Sequence, residues 1–428
     1  MSLPGRSVAA PSALAMHLLA PGRPTPVRST PDRPEQDRPV VSRAMPAPVV
    51  KYHAPEIVFG YGSLAEAGYC ALRLGARRPF VVTDPGIVET GWVNELLGHL
   101  SEVGLTADVW SGVTPNPKDR EITAAFDRYQ EYGGDVLLAI GGGSCIDAAK
   151  GIAILSGNGG GILDYAGVDR AARLIPPLIT IPTTSGTGAD VSQFCIVTDT
   201  ARSVKVTIMG RALVPDISVT DPRLLTTMPD HLNASTGLDA LTHGIEAYVS
   251  LAHNPLTDTH ALTAVRLVGS ELERTLHHPD DPLARSAMAQ ASLEAGLAFT
   301  NAILGATHAM SHQVGGLLDA PHGVVNGVLL PHVIRYNAAL VPERFVPLAR
   351  AVGLRVDGIP ADEAADQLAQ WVRDLADRVG VPAGLRELGV QESDLPRLAN
   401  STLEDACLTT NPRGADAGAV EAIFAAAL

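Results

Sequence analysis

Residues 136–155 read VLLAIGGGSCIDAAKGIAIL. An aliphatic run, three glycines (Gly141, Gly142 and Gly143) and an Ala/Ile-rich stretch predict a strand, a tight turn and a helix opening at Ser144, with Asp147 in its first turn. Glycines let a phosphate approach the backbone, and the N–H groups at a helix start bind its oxygens. The spacing is neither the G-x-G-x-x-G fingerprint nor a Walker A loop, because Lys150 follows the last glycine too distantly and has no Ser/Thr neighbour. A plain tight connection fits the same residues.

Around this unit, β-branched runs alternate with helical stretches. RPFVVTD (78–84) precedes a helix through 93–104. ADVW (107–110) precedes one through 119–133, and LIPPLITIPTT (174–184), FCIVTD (194–199) and DISVTDP (216–222) follow. That alternation is the sequence form of a parallel sheet wrapped by helices. After about Met228 the strand pattern stops, and Ala/Leu-rich helical spacing continues to the end, broken at HNP, HHPDDP and APHG. The expected organisation is a leader over 1–48, an α/β domain over 49–228 and an all-helical domain over 229–428. The leader holds ten of the 32 prolines and reads as disordered.

Composition narrows the function. With 428 residues, 46% hydrophobic and 18% charged, the chain can bury a large core. Its 32 Lys+Arg against 46 Asp+Glu give a net charge of −14, which disfavours nucleic acid and anionic membrane as partners. The four cysteines, Cys70, Cys145, Cys195 and Cys407, form no CxxC pair and indicate neither a disulfide framework nor a thiolate zinc site. No apolar run is long enough to span a bilayer, and Pro4, Pro11 and His17 interrupt the only stretch resembling a signal peptide, so a cytoplasmic location is expected.

The helical half carries the sharper chemistry. Asp239 and His243 are four apart, as are His308 and His312, so each pair shares a helix face, and His322 follows in a Gly/Pro-marked turn. Imidazoles and a carboxylate without thiolate suit a divalent iron or zinc ion with positions left open for substrate. Spacing alone leaves open which three histidines bind. In the α/β half, Asp84 ends a strand and suits a ribose hydroxyl, or equally an N-cap before Pro85. Thr183, Thr184, Ser185 and Thr187 supply hydroxyls beside glycines.

From about residue 50 onward the chain resembles the iron-dependent, group III alcohol dehydrogenases. The resemblance lies in PNP (115–117), GGGSCIDAAKG (141–151), TIPTTSGTGAD (180–190), TDPRLLTTMP (220–229), TGLDALTHGIEAYVS (236–250), NPLTD (254–258), HAMSHQVGG (308–316), PHGVVNGVLLPHV (321–333) and NPR (411–413), in that order. It implies the dehydroquinate synthase-like fold, with an NAD-binding α/β domain and a helical metal-binding domain. It implies Asp239, His243, His308 and His322 as ligands of Fe2+, with Zn2+ as the other ion this set accepts. His312 matches the family's non-ligand histidine beside the nicotinamide, a proton carrier. Gly142, Gly143 and Ser144 fall on the pyrophosphate and Asp84, Asn116, Thr183, Thr184 and Lys205 around the adenosine and ribose, with Asp147 also in the cofactor-binding set. The acid at Asp84 matches the NAD-preferring members.

The implied reaction is NAD-linked oxidation of a small primary alcohol or reduction of an aldehyde. Substrate candidates are short alkanols, lactaldehyde or propanediol, and phosphonoacetaldehyde, the last requiring a cation that the sequence does not identify; Phe194, Leu304 and the region around His253 are expected to face the substrate. A dehydroquinate-synthase-like lyase would need a cationic site, yet residues 239–337 hold only Arg266, Arg274, Arg285 and Arg335. A non-catalytic sensor would be expected to have lost a ligand. A homodimer is the expected assembly.

Overall fold

The computed structural model describes residues 51–202 and 204–428. Nine strands are formed among them: β1 Glu56–Phe59, β2 Pro79–Val82, β3 Asp108–Trp110, β4 Val136–Gly141, β5 Gly167–Val168, β6 Leu178–Pro182, β7 Phe194–Asp199, β8 Val204–Met209 and β9 Ile217–Thr220. Six build a parallel sheet in the order β1-β9-β6-β4-β2-β3. β4 is buried along its whole length and lies between β2 and β6. Its side chains alternate between two cores. Leu137 and Ala139 join Phe80 and Val82 under the Gly143–Asn158 helix, while Leu138 and Ile140 join Val81, Ile179 and Leu96 on the opposite face.

Chain progression reverses between β2 and β4: β3 lies outside β2, whereas β6 and β9 follow on the other side of β4. In such sheets the ligand crevice lies beyond the carboxyl ends of the strands at the reversal. Asp84 follows β2 there, and the glycine turn follows β4. Gly141 has φ 152°, and a Cβ on it would lie 2.5 Å from Cys145 Sγ, so the turn into the helix requires glycine at this position.

One feature departs from the purely parallel reading. β7 and β8 form an antiparallel pair, and β5 adds to β8 as a separate three-stranded sheet. The charged Lys205 and the partly exposed face of β8 hide this strand from a search for apolar runs.

Beyond the short helical turn Pro222–Thr227 the chain is helical: Asp230–Val249, Pro255–His277, Pro282–Ala302, Ala306–Leu318 and His322–Ala338 form the body around the site. The breaks fall where the sequence places them. Asn254 accepts the N–H of Leu256 and Thr257, and Asp281 those of Leu283 and Ala284, each before a proline at the first helical position. The α/β and helical parts pack as one unit over Val50–Leu428. The expected leader lies outside the described residues. Among those described, no helix is long and apolar enough to cross a membrane.

Candidate active site

The Asp230–Val249 helix is buried on all sides from Asn233 onward and carries Asp239 and His243 one turn apart. The Ala306–Leu318 helix brings His308, and His322 is the first residue of the next helix rather than part of the turn before it. These four side chains converge on one oxygen. Asp239 Oδ1 lies 3.5 Å from His308 Nε2, 3.8 Å from His243 Nε2 and 3.8 Å from His322 Nε2.

Each imidazole is held by its other nitrogen. His243 Nδ1 donates to the Gly186 carbonyl at 3.1 Å, His308 Nδ1 lies 2.6 Å from Glu246 Oε2, and His322 Nδ1 lies 3.2 Å from Ser311 Oγ. Fixing Nδ1 turns Nε2 of all three toward Asp239, the second-layer arrangement that metal-binding histidines use. Phe299 stacks on His243 with ring centroids 4.4 Å apart, walling that side with apolar surface. Three imidazole nitrogens and a carboxylate oxygen, pre-oriented and buried, fit a divalent first-row ion.

The charges reflect the same crowding. Burial opposes ionisation of Asp239, but His243, His308 and His322 outweigh it and hold the carboxyl well below its usual range. Burial pushes His243 down to about 4, with Asp239 opposing. His308 is likewise disfavoured by burial, yet its bonds to Asp239 and Glu246 raise it to about 9.

His312 does not pair with this oxygen through either ring nitrogen; its carboxylate partner, through Nδ1, is Asp405. That nitrogen lies 2.9 Å from Asp405 Oδ2, and the ring stacks on His322 with centroids 5.3 Å apart. The cleft beside it is lined by Lys205, Gln313, Arg397 and Ser401.

The α/β half assembles the other expected residues at the sheet reversal. Asp84 Oδ1 accepts the Ile87 N–H at 3.0 Å and Oδ2 accepts the Cys145 S–H at 3.2 Å, so the N-cap role is realised. Asn116, with φ 56°, donates its N–H to Ser144 Oγ and its side-chain amide to Asp319. Gly142 and Gly143 face Thr184 and Thr187, where a Cβ would lie 3.1 and 2.9 Å from their methyl groups. Buried Oγ1 atoms of Thr183 and Thr184 and Oγ of Ser185 have no protein partner, as expected of hydroxyls awaiting a polar ligand.

Two placements differ from expectation. The helix after β4 opens at Gly143 rather than Ser144, which puts Asp147 past the first turn, where the helix packs on β7 and the carboxylate accepts the Ile196 N–H inside the core. Lys205, expected around the adenosine and ribose, stands beside Gly315 on the helix that carries His312, where the β7–β8 hairpin brings it. Burial lowers its pKa to about 8 against the pull of Asp319 and Asp239.

Of the expected substrate-facing residues, Phe194 and Leu304 are buried in the helical core, and His253 pairs with Asp258 and Arg344. Sequence reading missed Glu246, Asn326 and Asp405. Glu246 follows His243 by three residues on the same helix, a spacing that could have signalled it. Asn326 donates to Asp239 Oδ1 at 2.8 Å and Asp405 comes from a distant turn; neither carries a local signal.

Models of two families match: iron-containing alcohol dehydrogenase over residues 54–222 and the C-terminal region of the Fe-containing alcohol dehydrogenase family over 233–428. The chain belongs to the iron-containing alcohol dehydrogenase family. As such it is an NAD-linked alcohol dehydrogenase or aldehyde reductase, and the lyase and sensor readings are left without support. Similar proteins include the 1,3-propanediol dehydrogenase of Citrobacter freundii, 39% identical over 87% of this chain and 97% of that one. Lactaldehyde reductase of Escherichia coli (strain K12) is 35% identical over 83% and 94%. A solved 1,3-propanediol oxidoreductase superposes with TM-score 0.87 at 38% identity, covering 89% of this alcohol dehydrogenase and all of the other chain.

Proposed function

We propose that Asp239, His243, His308 and His322 hold a catalytic Fe2+, a set that zinc also suits, and that NAD lies across the sheet reversal. In this reading Gly142, Gly143 and Ser144 receive the pyrophosphate, Asp84, Asn116, Thr183 and Thr184 the adenosine and ribose, and Asp147 braces the turn from behind. Lys205 serves the nicotinamide end. The convergence of three oriented imidazoles on Asp239 Oδ1 carries the proposal.

The ion supplies Lewis acidity toward the substrate oxygen and the nicotinamide supplies hydride exchange. The chain's own residues do the rest. Phe299 and the buried helix faces keep the metal end dry, and Thr183 and Thr184 offer hydroxyls to the dinucleotide. His312 takes the alcohol proton at Nε2 during oxidation and returns it during reduction.

We further propose a short hydroxylated alcohol or aldehyde as substrate, in line with the names of the relatives. A homodimer in the cytoplasm belongs to the same reading. The test is NADH oxidation by protein loaded anaerobically with Fe2+, against propanal, 3-hydroxypropanal, lactaldehyde and phosphonoacetaldehyde, with a chelator-treated control. Chelator-sensitive turnover that is fastest on the hydroxyaldehydes is expected. Preference for propanal or the phosphonate would overturn the substrate reading, and chelator-insensitive turnover the metal reading.

A further inference from the structure

Asp405 is 93 residues from His312 in sequence, yet its Oδ2 lies 2.9 Å from His312 Nδ1. Both side chains are buried, at 7% and 8% exposure. The carboxylate cannot swing freely, because its other oxygen, Oδ1, accepts the Cys407 N–H at 2.9 Å where Asp405 caps the turn Ala406–Thr410. Burial and this same carboxylate push the Cys407 thiol up, so it does not compete with His312 as an anion. Asp405 is therefore an acceptor fixed in place, with Oδ2 facing His312 at 2.9 Å and the Gln313 side-chain amide at 3.5 Å.

We propose that Asp405 is a positioning residue for proton transfer: it holds His312 in the tautomer with the proton on Nδ1, so that Nε2 presents a lone pair to the reacting end of the cleft. The inference rests on the reading of His312 as the proton carrier. In alcohol oxidation the substrate O–H bond breaks, the electron pair stays on oxygen and the proton goes to Nε2. The carbon–hydrogen bond then breaks with its electron pair leaving as hydride to nicotinamide C4, and the carbonyl forms. Substrate is oxidised and NAD+ reduced. Asp405 stabilises the imidazolium until Nε2 passes its proton to solvent, and reduction runs the same steps backwards.

The fixed Oδ1 gives the proposal an uncommon test. In Asp405→Asn the Cys407 N–H, 2.9 Å from Oδ1, claims the amide oxygen over the Gln313 amide, which lies 3.5 Å from Oδ2 and has the Ala309 carbonyl as its other acceptor, so the NH2 faces His312. Nδ1 is then forced to accept, the ring proton moves to Nε2, and the lone pair needed for oxidation is lost. Asp405→Ala removes the bias without imposing the wrong tautomer. With iron content and the KM for NAD+ within twofold of wild type, the Asn variant should lose about 10²- to 10⁴-fold in kcat for alcohol oxidation, and the Ala variant should lose less.

A second readout does not depend on turnover. Protein labelled with nitrogen-15 in histidine and loaded with diamagnetic Zn2+ should show His312, identified by its absence from the spectrum of His312→Ala, protonated at Nδ1 in wild type and at Nε2 in Asp405→Asn. Wild-type protonation at Nε2 overturns the proposal even if both Asp405 variants misfold. So does an Asn variant within threefold of wild-type kcat. If His312→Ala itself keeps full kcat, the reading of His312 fails instead, and the tautomer result still reports on Asp405 alone.

Discussion

Glu246 lies 2.6 Å from His308 Nδ1 through Oε2 while its two oxygens also collect the N–H groups of Gly305 and Thr307 at the start of the Ala306–Leu318 helix. One fully buried carboxylate thus fixes both the imidazole and the helix end from which it projects. Burial opposes its charge, but the bonds from His308 and Thr307 hold its pKa below the usual carboxylate range.

Glu246→Gln should weaken the metal site without touching a ligand. The amide has a single acceptor oxygen for the several donors that now share the carboxylate, so His308 loses its anchor or Thr307 N–H its partner. Loss of such an outer partner typically costs 10- to 100-fold in metal affinity. Competition against a chelator of known affinity should show a fall of that order, with circular dichroism unchanged. Undiminished affinity would mean that the backbone alone orients His308.

The two histidines of the Ala306–Leu318 helix should separate cleanly on substitution. His308→Ala removes a nitrogen 3.5 Å from Asp239 Oδ1 and is expected to strip most of the iron. His312→Ala is expected to keep its iron and lose about 10²- to 10⁴-fold in turnover. Metal analysis beside kcat on the purified variants decides it, and equal loss of iron in both would make His312 a ligand.

Much of this site was legible because its parts repeat on helix faces. Asp239 with His243 and His308 with His312 are each one turn apart, so sequence alone pairs them. What spacing cannot show is which rings turn Nε2 toward Asp239 Oδ1: His243, His308 and His322 do, and His312, with Nδ1 on Asp405, does not pair with that oxygen. Asp405, Asn326 and the Gly186 carbonyl reach the site through tertiary packing and have no periodic signature. The parallel sheet was legible from its apolar runs. β8 was not, because a half-exposed strand carrying Lys205 lacks such a run, and with it went the true position of Lys205 beside Gly315.

Asp84 caps the Pro85–Glu89 helix, and substitution should test the proposed recognition role beside that structural one. Asp84→Ala removes the cap from Ile87 N–H, a loss of roughly 1 kcal/mol that lowers the melting midpoint by a few degrees. It also removes a negative charge from the sheet reversal, where a 2′-phosphate would otherwise be repelled. The ratio of kcat/KM for NAD+ over NADP+ should fall by about tenfold or more. A lowered midpoint with an unchanged ratio would leave Asp84 as a cap alone.

Asp147 should make the fold itself pH-dependent. Burial raises its pKa from 3.8 to about 6, with the Lys150 charge and the Ile196 N–H opposing. Between those values the folded chain keeps a proton that the unfolded chain has released. The stability linked to this group is therefore fully present below pH 3.8, declines as pH rises, and is lost above about 6. Two units correspond to at most about 3 kcal/mol, and coupling to buried Lys150 reduces that figure. Asp147→Asn keeps an acceptor for Ile196 N–H and has no charge to bury. In ion-free protein it should raise the unfolding midpoint at pH 8 by a few degrees and leave it nearly unchanged at pH 4. A lower midpoint at pH 8 would show that the attraction between ionised Asp147 and Lys150 exceeds the cost of burying the carboxylate.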